Sequence, residues 1–167
     1  MTGVGGLPMA TRCDNLDPGA ILYMLEHYEY SVSELREIFY KKSGLLGISE
    51  LSPDMRDLLA SNKPEAKFAI DIFVHNISNY AGMLAAELQG CDGFIFTGGI
   101  GENAAPIRQM VGERLGWLGA EVDPQKNSAK ITAATKISSD SSKIPVWVIP
   151  TDEETIIAKD TLQLLCL

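Results

Sequence analysis

An apolar run, Phe94-Ile95-Phe96, leads directly into Thr97-Gly98-Gly99-Ile100-Gly101-Glu102-Asn103, and no other segment of this 167-residue chain restricts its fold and chemistry as tightly. Gly98, Gly99 and Gly101 carry no Cβ, so a ligand can lie against the backbone, and they reach φ values that other residues avoid. A helix predicted over 104–115 turns its free N-terminal amides and positive dipole end toward the same space. Strand, glycine turn and helix in that order suit a nucleotide site in an α/β sheet. Two further readings stay open from these residues. Gly99-x-Gly101-x-x-Ala104 satisfies the loose dinucleotide fingerprint, with Glu121 at about the ~20-residue spacing of a ribose-binding acid. The same turn can equally join a strand to a helix and bind nothing.

Around this unit, punctuation residues mark alternating helices and strands. Asp17 caps and Pro18 opens a helix to about Glu29, because proline at the first helical position loses no hydrogen bond and the aspartate accepts from free amides. Ser31-x-x-Glu34 is a capping box for a second helix, which Gly44 ends, and 42–49 reads as a turn with apolar plugs. A short helix is expected over 54–61. Pro64 then opens a long helix that Gly90 stops. Its Ala66, Phe68, Ala69, Ile72, Phe73, Ile77, Tyr80, Leu84 and Leu88 form an apolar face wide enough to lie across a sheet as a core crossover. Strands are expected at 93–97, 131–137 and 146–149, a polar loop at 138–143, and a terminal helix from Thr151 to about Leu165. The alternation gives α/β. Three strands for about six helices leave open sheet edges, so some strands are expected to be missing from the chain. The opening Met1-Thr2-Gly3-Val4-Gly5-Gly6-Leu7-Pro8 supplies no strand or helix and correspondingly reads as a start inside a loop of something longer.

Composition narrows the chemistry. With 46% hydrophobic residues the chain can bury one real core, read as a single domain over 1–167. Fourteen Lys and Arg against 22 Asp and Glu give a net charge of −8 without a basic cluster, which argues against nucleic acid as a partner. Cys13, Cys91 and Cys166 are widely spaced and form no C-x-x-C pair, so they fit core or bystander thiols of a reducing cytosol. No apolar run of about 18 residues is present and no signal-peptide order opens the chain, so a cytoplasmic protein without membrane contact is expected.

Three more segments carry candidate chemistry. In Gly6-Leu7-Pro8-Met9-Ala10-Thr11-Arg12-Cys13-Asp14-Asn15-Leu16-Asp17-Pro18 a single arginine precedes a helix cap, where its planar fork can meet phosphoryl oxygens or pair with Asp14 or Asp17. Ser52-Pro53-Asp54-Met55-Arg56-Asp57 can offer Asp54 to a ribose hydroxyl and Arg56 to a base or phosphate, or simply cap a helix. Thr151-x-x-Glu154 follows a buried strand and reads as a capping box, which leaves Glu153 free to hold a metal-bound water. His27 and His75 sit in predicted helices without a second ligand at metal spacing and read as packing or surface residues.

Together these segments resemble the C-terminal half of the acetate kinase family, which belongs with sugar kinases, actin and the heat-shock chaperones. The matching words run in family order: GLPMATRCDNLDPG, KKSGLLGIS, SPDMRDL, FTGGIGENAAPIR and IPTDEE. The resemblance implies a ribonuclease H-like (actin-type ATPase) C-terminal domain lacking its first strands, and phosphoryl transfer between ATP and acetate with Mg2+. By it, Arg12 matches the arginine that stabilises the phosphoryl transition state, and Asp54, Met55 and Arg56 match a nucleotide-binding turn. Gly99, Ile100, Gly101, Glu102 and Asn103 match the segment that packs on the adenosine, and Glu153 matches a magnesium-linked glutamate. Asp14 stands where the family usually has glycine, a charge able to draw Arg12 off the substrate. The phosphate loop, the substrate arginine, the catalytic Asp and His and the metal-linked Asn belong to a preceding half, so this chain alone is expected to be inactive. Propionate kinase, a sister with the same words, is the alternative within the class. Outside it stand an NAD-binding oxidoreductase, which needs a strand ending at Glu121, and a non-catalytic half serving only homodimer formation.

Overall fold

Four helix starts marked by a cap or a proline, at Asp17-Pro18, Ser31, Asp54 and Pro64, are helix starts in the folded chain, which a computed structural model describes over residues 5–165 apart from the Glu153 side chain. Where the sequence reads as a single domain, the chain divides into two units, Met1–Gln89 and Gly90–Leu167.

The first unit is helical among its described residues. Helix α1 (Pro18–His27) is capped by Asp17, whose carboxylate accepts from the Gly19 amide at 2.8 Å. Helix α2 (Val32–Lys41) carries both arms of its capping box: Glu34 N–H donates to Ser31 Oγ at 3.2 Å and Ser31 N–H to Glu34 Oε2 at 2.8 Å. The expected turn at 42–49 is instead a helix, α3 (Gly44–Ser49), and Gly44 is its first residue rather than the stop of α2. Ser43 makes no side-chain cap there; carbonyls of an earlier loop supply the acceptors, which no local pattern announces. After α4 (Met55–Ala60), α5 (Pro64–Glu87) packs against α3 and α4, where the sequence reading lays it across a sheet. Its buried residues Ala66, Ala69, Ile70, Phe73 and Val74 make the core of this unit with Leu45, Met55 and Leu58, whereas Phe68, Leu84 and Leu88 are exposed.

The second unit holds the sheet. Strands β1 (Phe94–Phe96), β2 (Thr135–Lys136) and β3 (Val146–Val148) fall inside the three expected segments and lie in the order β1-β3-β2. β1 runs parallel to β3 with Phe94 opposite Val146, and β2 runs antiparallel to it with Thr135 opposite Val148. Val146 and Val148 of the central strand are buried, as are Phe96, Ile107, Val111, Leu115 and Ile137 of the same unit. Gly112 on α7 (Ala105–Arg114) admits the close approach of Val122, whose Cγ2 lies 2.4 Å from where a Cβ would stand. A 3-10 turn (Gly116–Leu118), α8 (Pro124–Ser128) and the terminal α9 (Glu153–Leu165) complete the unit. Because β1 and β3 are parallel neighbours, the loops that follow them leave the same end of the sheet, where ligands gather in open α/β folds.

Candidate functional site

Arg12 sits in a loop pinned to the start of α3. Leu45 N–H donates to Met9 O at 2.8 Å, Leu46 N–H to Ala10 O at 3.0 Å and Ser43 N–H to Thr11 O at 3.0 Å, so loop carbonyls satisfy the free amides of the helix. Cys13 N–H reaches Phe39 O at 2.9 Å, and the Thr11 hydroxyl donates to Tyr40 O at 3.0 Å. The approach is close enough to require glycine: a Cβ on Gly44, at φ +62, would lie 2.1 Å from Met9 O and 2.7 Å from Arg12 O. The Arg12 guanidinium lies over the Tyr40 ring, 5.8 Å from its centroid. Burial, with Asp14 adding to it, pushes the neighbouring Cys13 thiol above its ordinary pKa, so this cysteine is a poor nucleophile.

The same helix leads to the second candidate. At the far end of α3, buried Ser49 accepts through Oγ from the Leu51 and Ser52 amides at 3.2 and 3.3 Å and folds the chain into the turn before α4. Six residues at ~1.5 Å rise make α3 a spacer of about 9 Å between the Arg12 loop and this turn. Asp54 caps α4 through the Arg56 amide at 2.8 Å and also receives the Arg56 guanidinium, Nε at 3.0 and 3.1 Å and a second, shorter bond from NH2. That guanidinium, helped by the amide, holds the Asp54 carboxyl at about 2. Arg56 is 87% exposed, whereas Met55 is 4% exposed and belongs to the core.

In the second unit the glycine segment differs from the expected turn: it is itself helical, α6 (Gly98–Asn103), and α7 follows after Ala104. Three side chains hold it. Glu102 Oε1 accepts from Gly98 N–H at 2.9 Å; Asn103 Nδ2 donates to Gly99 O at 2.9 Å; and Arg108 donates through NH1 to Gly101 O and Glu102 O at 3.0 and 2.9 Å. Gly98 takes φ +71, and a Cβ on Gly98 or Gly99 would meet nothing within 4 Å, so one face of α6 is open. A Cβ on Gly101 would instead touch the Phe96 backbone at 3.4 Å, so this glycine seats α6 on β1.

At the other strand end, Thr151 does not form the expected box with Glu154. Its amide and hydroxyl both donate to Glu102 Oε1, at 2.9 and 3.0 Å, and the turn into α9 is made by Asp152, which accepts from the Thr155 amide at 3.0 Å. These bonds, the Thr151 amide first, hold the Glu102 carboxyl below the usual carboxylate range. The Glu153 side chain, the metal candidate, lies outside the described residues, as does Cys166. Among the described residues no group of three or more His, Cys, Asp or Glu gathers as a metal site. His27 stacks on Tyr23 with centroids 4.2 Å apart, and His75 bonds Asn79, as expected of packing or surface residues.

Sequence reasoning missed Arg108 and Asn127, and gave Thr151 only a capping role. Arg108 is 2% exposed and pairs with no carboxylate among the described residues; it donates to Asn127 Oδ1 and Asn127 O, both at 2.6 Å, besides the two α6 carbonyls. Burial lowers its pKa, yet a guanidinium stays charged. The one available signal was its place seven residues after Gly101 on the predicted helix, which does not distinguish a surface arginine from a buried one. Glu121, needed on a strand end by the dinucleotide reading, lies between two isolated bridges, Ala120 with Ile144 and Val122 with Ser138, and ends no strand.

The family model described as Acetokinase family matches residues 1–159. The chain belongs to this family. It is 49% identical over 160 residues to an acetate kinase of Rickettsia akari, a match that covers 96% of this chain and 41% of that protein. Among solved structures, acetate kinase from Porphyromonas gingivalis superposes with a TM-score of 0.85 at 35% identity, covering 96% of this chain and 41% of the other. A propionate kinase from Francisella tularensis superposes with a TM-score of 0.83 at 39% identity, covering 92% and 40%. The chain thus spans about 41% of the length of the curated acetokinase relative it matches. The α/β, actin-type expectation agrees with these acetokinase neighbours. No described helix is long and apolar enough to cross a membrane.

Proposed function

We propose that this chain supplies the adenosine-facing part of an acetate kinase, an enzyme that passes the terminal phosphoryl group of ATP in line to a carboxylate oxygen of acetate. The observation that carries the reading is the open face over Gly98 and Gly99 at the carboxyl ends of parallel β1 and β3, in a chain of the acetokinase family. Chemistry of this kind is mostly positioning and charge neutralisation. Arg12 is the proposed catalytic residue, its fork matched to the oxygens of the transferring group and its loop held rigid by α3. Asp54 and Arg56 are proposed to meet the nucleotide by exchanging their mutual fork for ribose and phosphate contacts, with Met55 anchoring the turn and contributing through its main chain. Gly99, Ile100, Gly101, Glu102 and Asn103 form the proposed adenosine segment.

ATP and ADP are handled as magnesium complexes in this reading, and Mg2+ when bound neutralises phosphate charge. Such an ion is usually held by one or two carboxylates plus phosphates and water, so the lack of a carboxylate cluster among the described residues is compatible with it. Glu153 is the proposed contributor, through a water. The whole protein is proposed to be a cytoplasmic homodimer using acetate, with propionate as the alternative acyl substrate, a choice supported by the propionate kinase neighbour.

Calorimetric titration of the chain with ADP, and with NADH as the competitor, tests the nucleotide reading. Gly99 has no positive φ and open space at its Cβ, so Gly99→Ala should leave the melting midpoint unchanged or slightly higher. It should nevertheless weaken ADP by about fivefold, because the methyl group occupies the ligand face. Tighter binding of NADH than of ADP, or a Gly99→Ala chain that binds ADP like wild type, overturns the reading.

A further inference from the structure

One carboxylate oxygen serves two loops at the ligand end of the sheet. Glu102 Oε1 accepts from Gly98 N–H at 2.9 Å, Thr151 N–H at 2.9 Å and Thr151 Oγ1 at 3.0 Å. Gly98 begins the segment that leaves β1, and Thr151 lies on the segment that leaves β3. The backbone ties between the two strands continue as far as Ile149 N–H to Phe96 O, at 2.9 Å. Past that rung the chains diverge, one into α6 and one toward α9, and Glu102 spans the gap. The same bond to Gly98 ties the residue whose φ is +71, at the edge of the open face.

We propose that Glu102 is a positioning residue rather than an adenosine contact: its carboxylate clasps the glycine segment to the segment leading into α9, so that the two walls of the crevice hold one spacing. The proposal rests on the nucleotide reading above. A ligand lying on the glycine face then meets a preorganised wall, and the head of α9, which carries Glu153, is held in register with that face. Oε1, which accepts three protein hydrogen bonds from the two walls, is committed to them, and moving it displaces both walls together.

Two measurements on the whole chain test this: amide hydrogen exchange at Gly98 and Thr151, and calorimetric ADP titration. Glu102→Ala should speed exchange at both amides together and weaken ADP by about tenfold, the size of an ordinary coupling between sites. Glu102→Gln keeps a carbonyl acceptor and should stay within about threefold of wild type with both amides still protected, as a clasp made through one acceptor oxygen requires. Thr151→Val, remote from the glycine face in sequence, should weaken ADP by about threefold, and the Glu102→Ala/Thr151→Val double variant should be no worse than Glu102→Ala alone. Additive losses, or a Glu102→Ala chain that loses ADP affinity with both amides still protected, would overturn the clasp and make Glu102 a ligand contact. A wild-type chain with both amides protected but no ADP uptake overturns the nucleotide reading instead, and with it the positioning role.

Discussion

Gly44 and Gly98 both hold positive φ, +62 and +71, yet they answer to different constraints. A side chain at Gly44 drives into the carbonyls of Met9 and Arg12, whereas one at Gly98 meets open space. Gly44→Ala should therefore cost about 3 kcal/mol or more, strain plus a broken loop contact, and Gly98→Ala about 1 kcal/mol, strain alone. Urea unfolding of the two variants reads the difference directly; equal costs would mean that the Arg12 loop is not packed on α3 as described. Asp54 offers a pH counterpart. Its folded carboxyl titrates at about 2, below the ordinary 3.8, because the Arg56 guanidinium and amide bond its charged form. A depressed folded pKa contributes stability above the unfolded value, and that contribution fades as pH falls from about 4 toward 2. Carboxyl-carbon NMR should place the Asp54 midpoint near 2, and Arg56→Gln should return most of it toward 3.8.

Between elements, polar side chains do what backbone ladders cannot. Arg108, on α7, joins the C-terminal carbonyls of α6 to Asn127 on α8, and Asn127 in turn donates to Ala105 O at 2.9 Å. Arg108→Met leaves buried acceptors without donors and should cost about 3 kcal/mol. Arg108→Lys should recover little, since a point charge cannot reproduce the planar fork. A midpoint shift in urea at constant slope is the measurement, and a Lys variant as stable as wild type would contradict the bonding described. The helices opened by Pro18, Ser31, Asp54 and Pro64 were legible because their signals are local: a cap or a fixed φ acts within one turn. α3 and α6 were not. α3 depends on acceptors contributed from residues 9–11, and α6 on Arg108 and Glu102, so neither carries its own instruction.

For the whole molecule, the chain's 41% share of its curated relative's length sets the expectation for activity. We expect no acetyl phosphate from this chain alone in a hydroxamate assay, and activity when it is co-expressed with the remaining portion of a relative. The edge strand β1, with Ile95 exposed, offers a place for added strands to pair. The restored rate should fall by at least ~10³ in Arg12→Ala and recover only slightly in Arg12→Lys. Full activity of the isolated chain, or an Arg12→Ala complex as fast as wild type, would show the chemistry to lie elsewhere. The α/β class, the three strand segments and the glycine face were readable from residues in order, because apolar alternation, caps and missing Cβ atoms are properties of short stretches. The clasp between Glu102 and Thr151, the burial of Arg108 without a carboxylate, the packing of α5 on α3 and α4 and the loss of the Thr151 capping box were not. The polar cases depend on which distant donor reaches an acceptor, the helix packing on which apolar faces meet, and both are decided only when the chain is folded and partners such as those 49 or 19 residues apart are side by side.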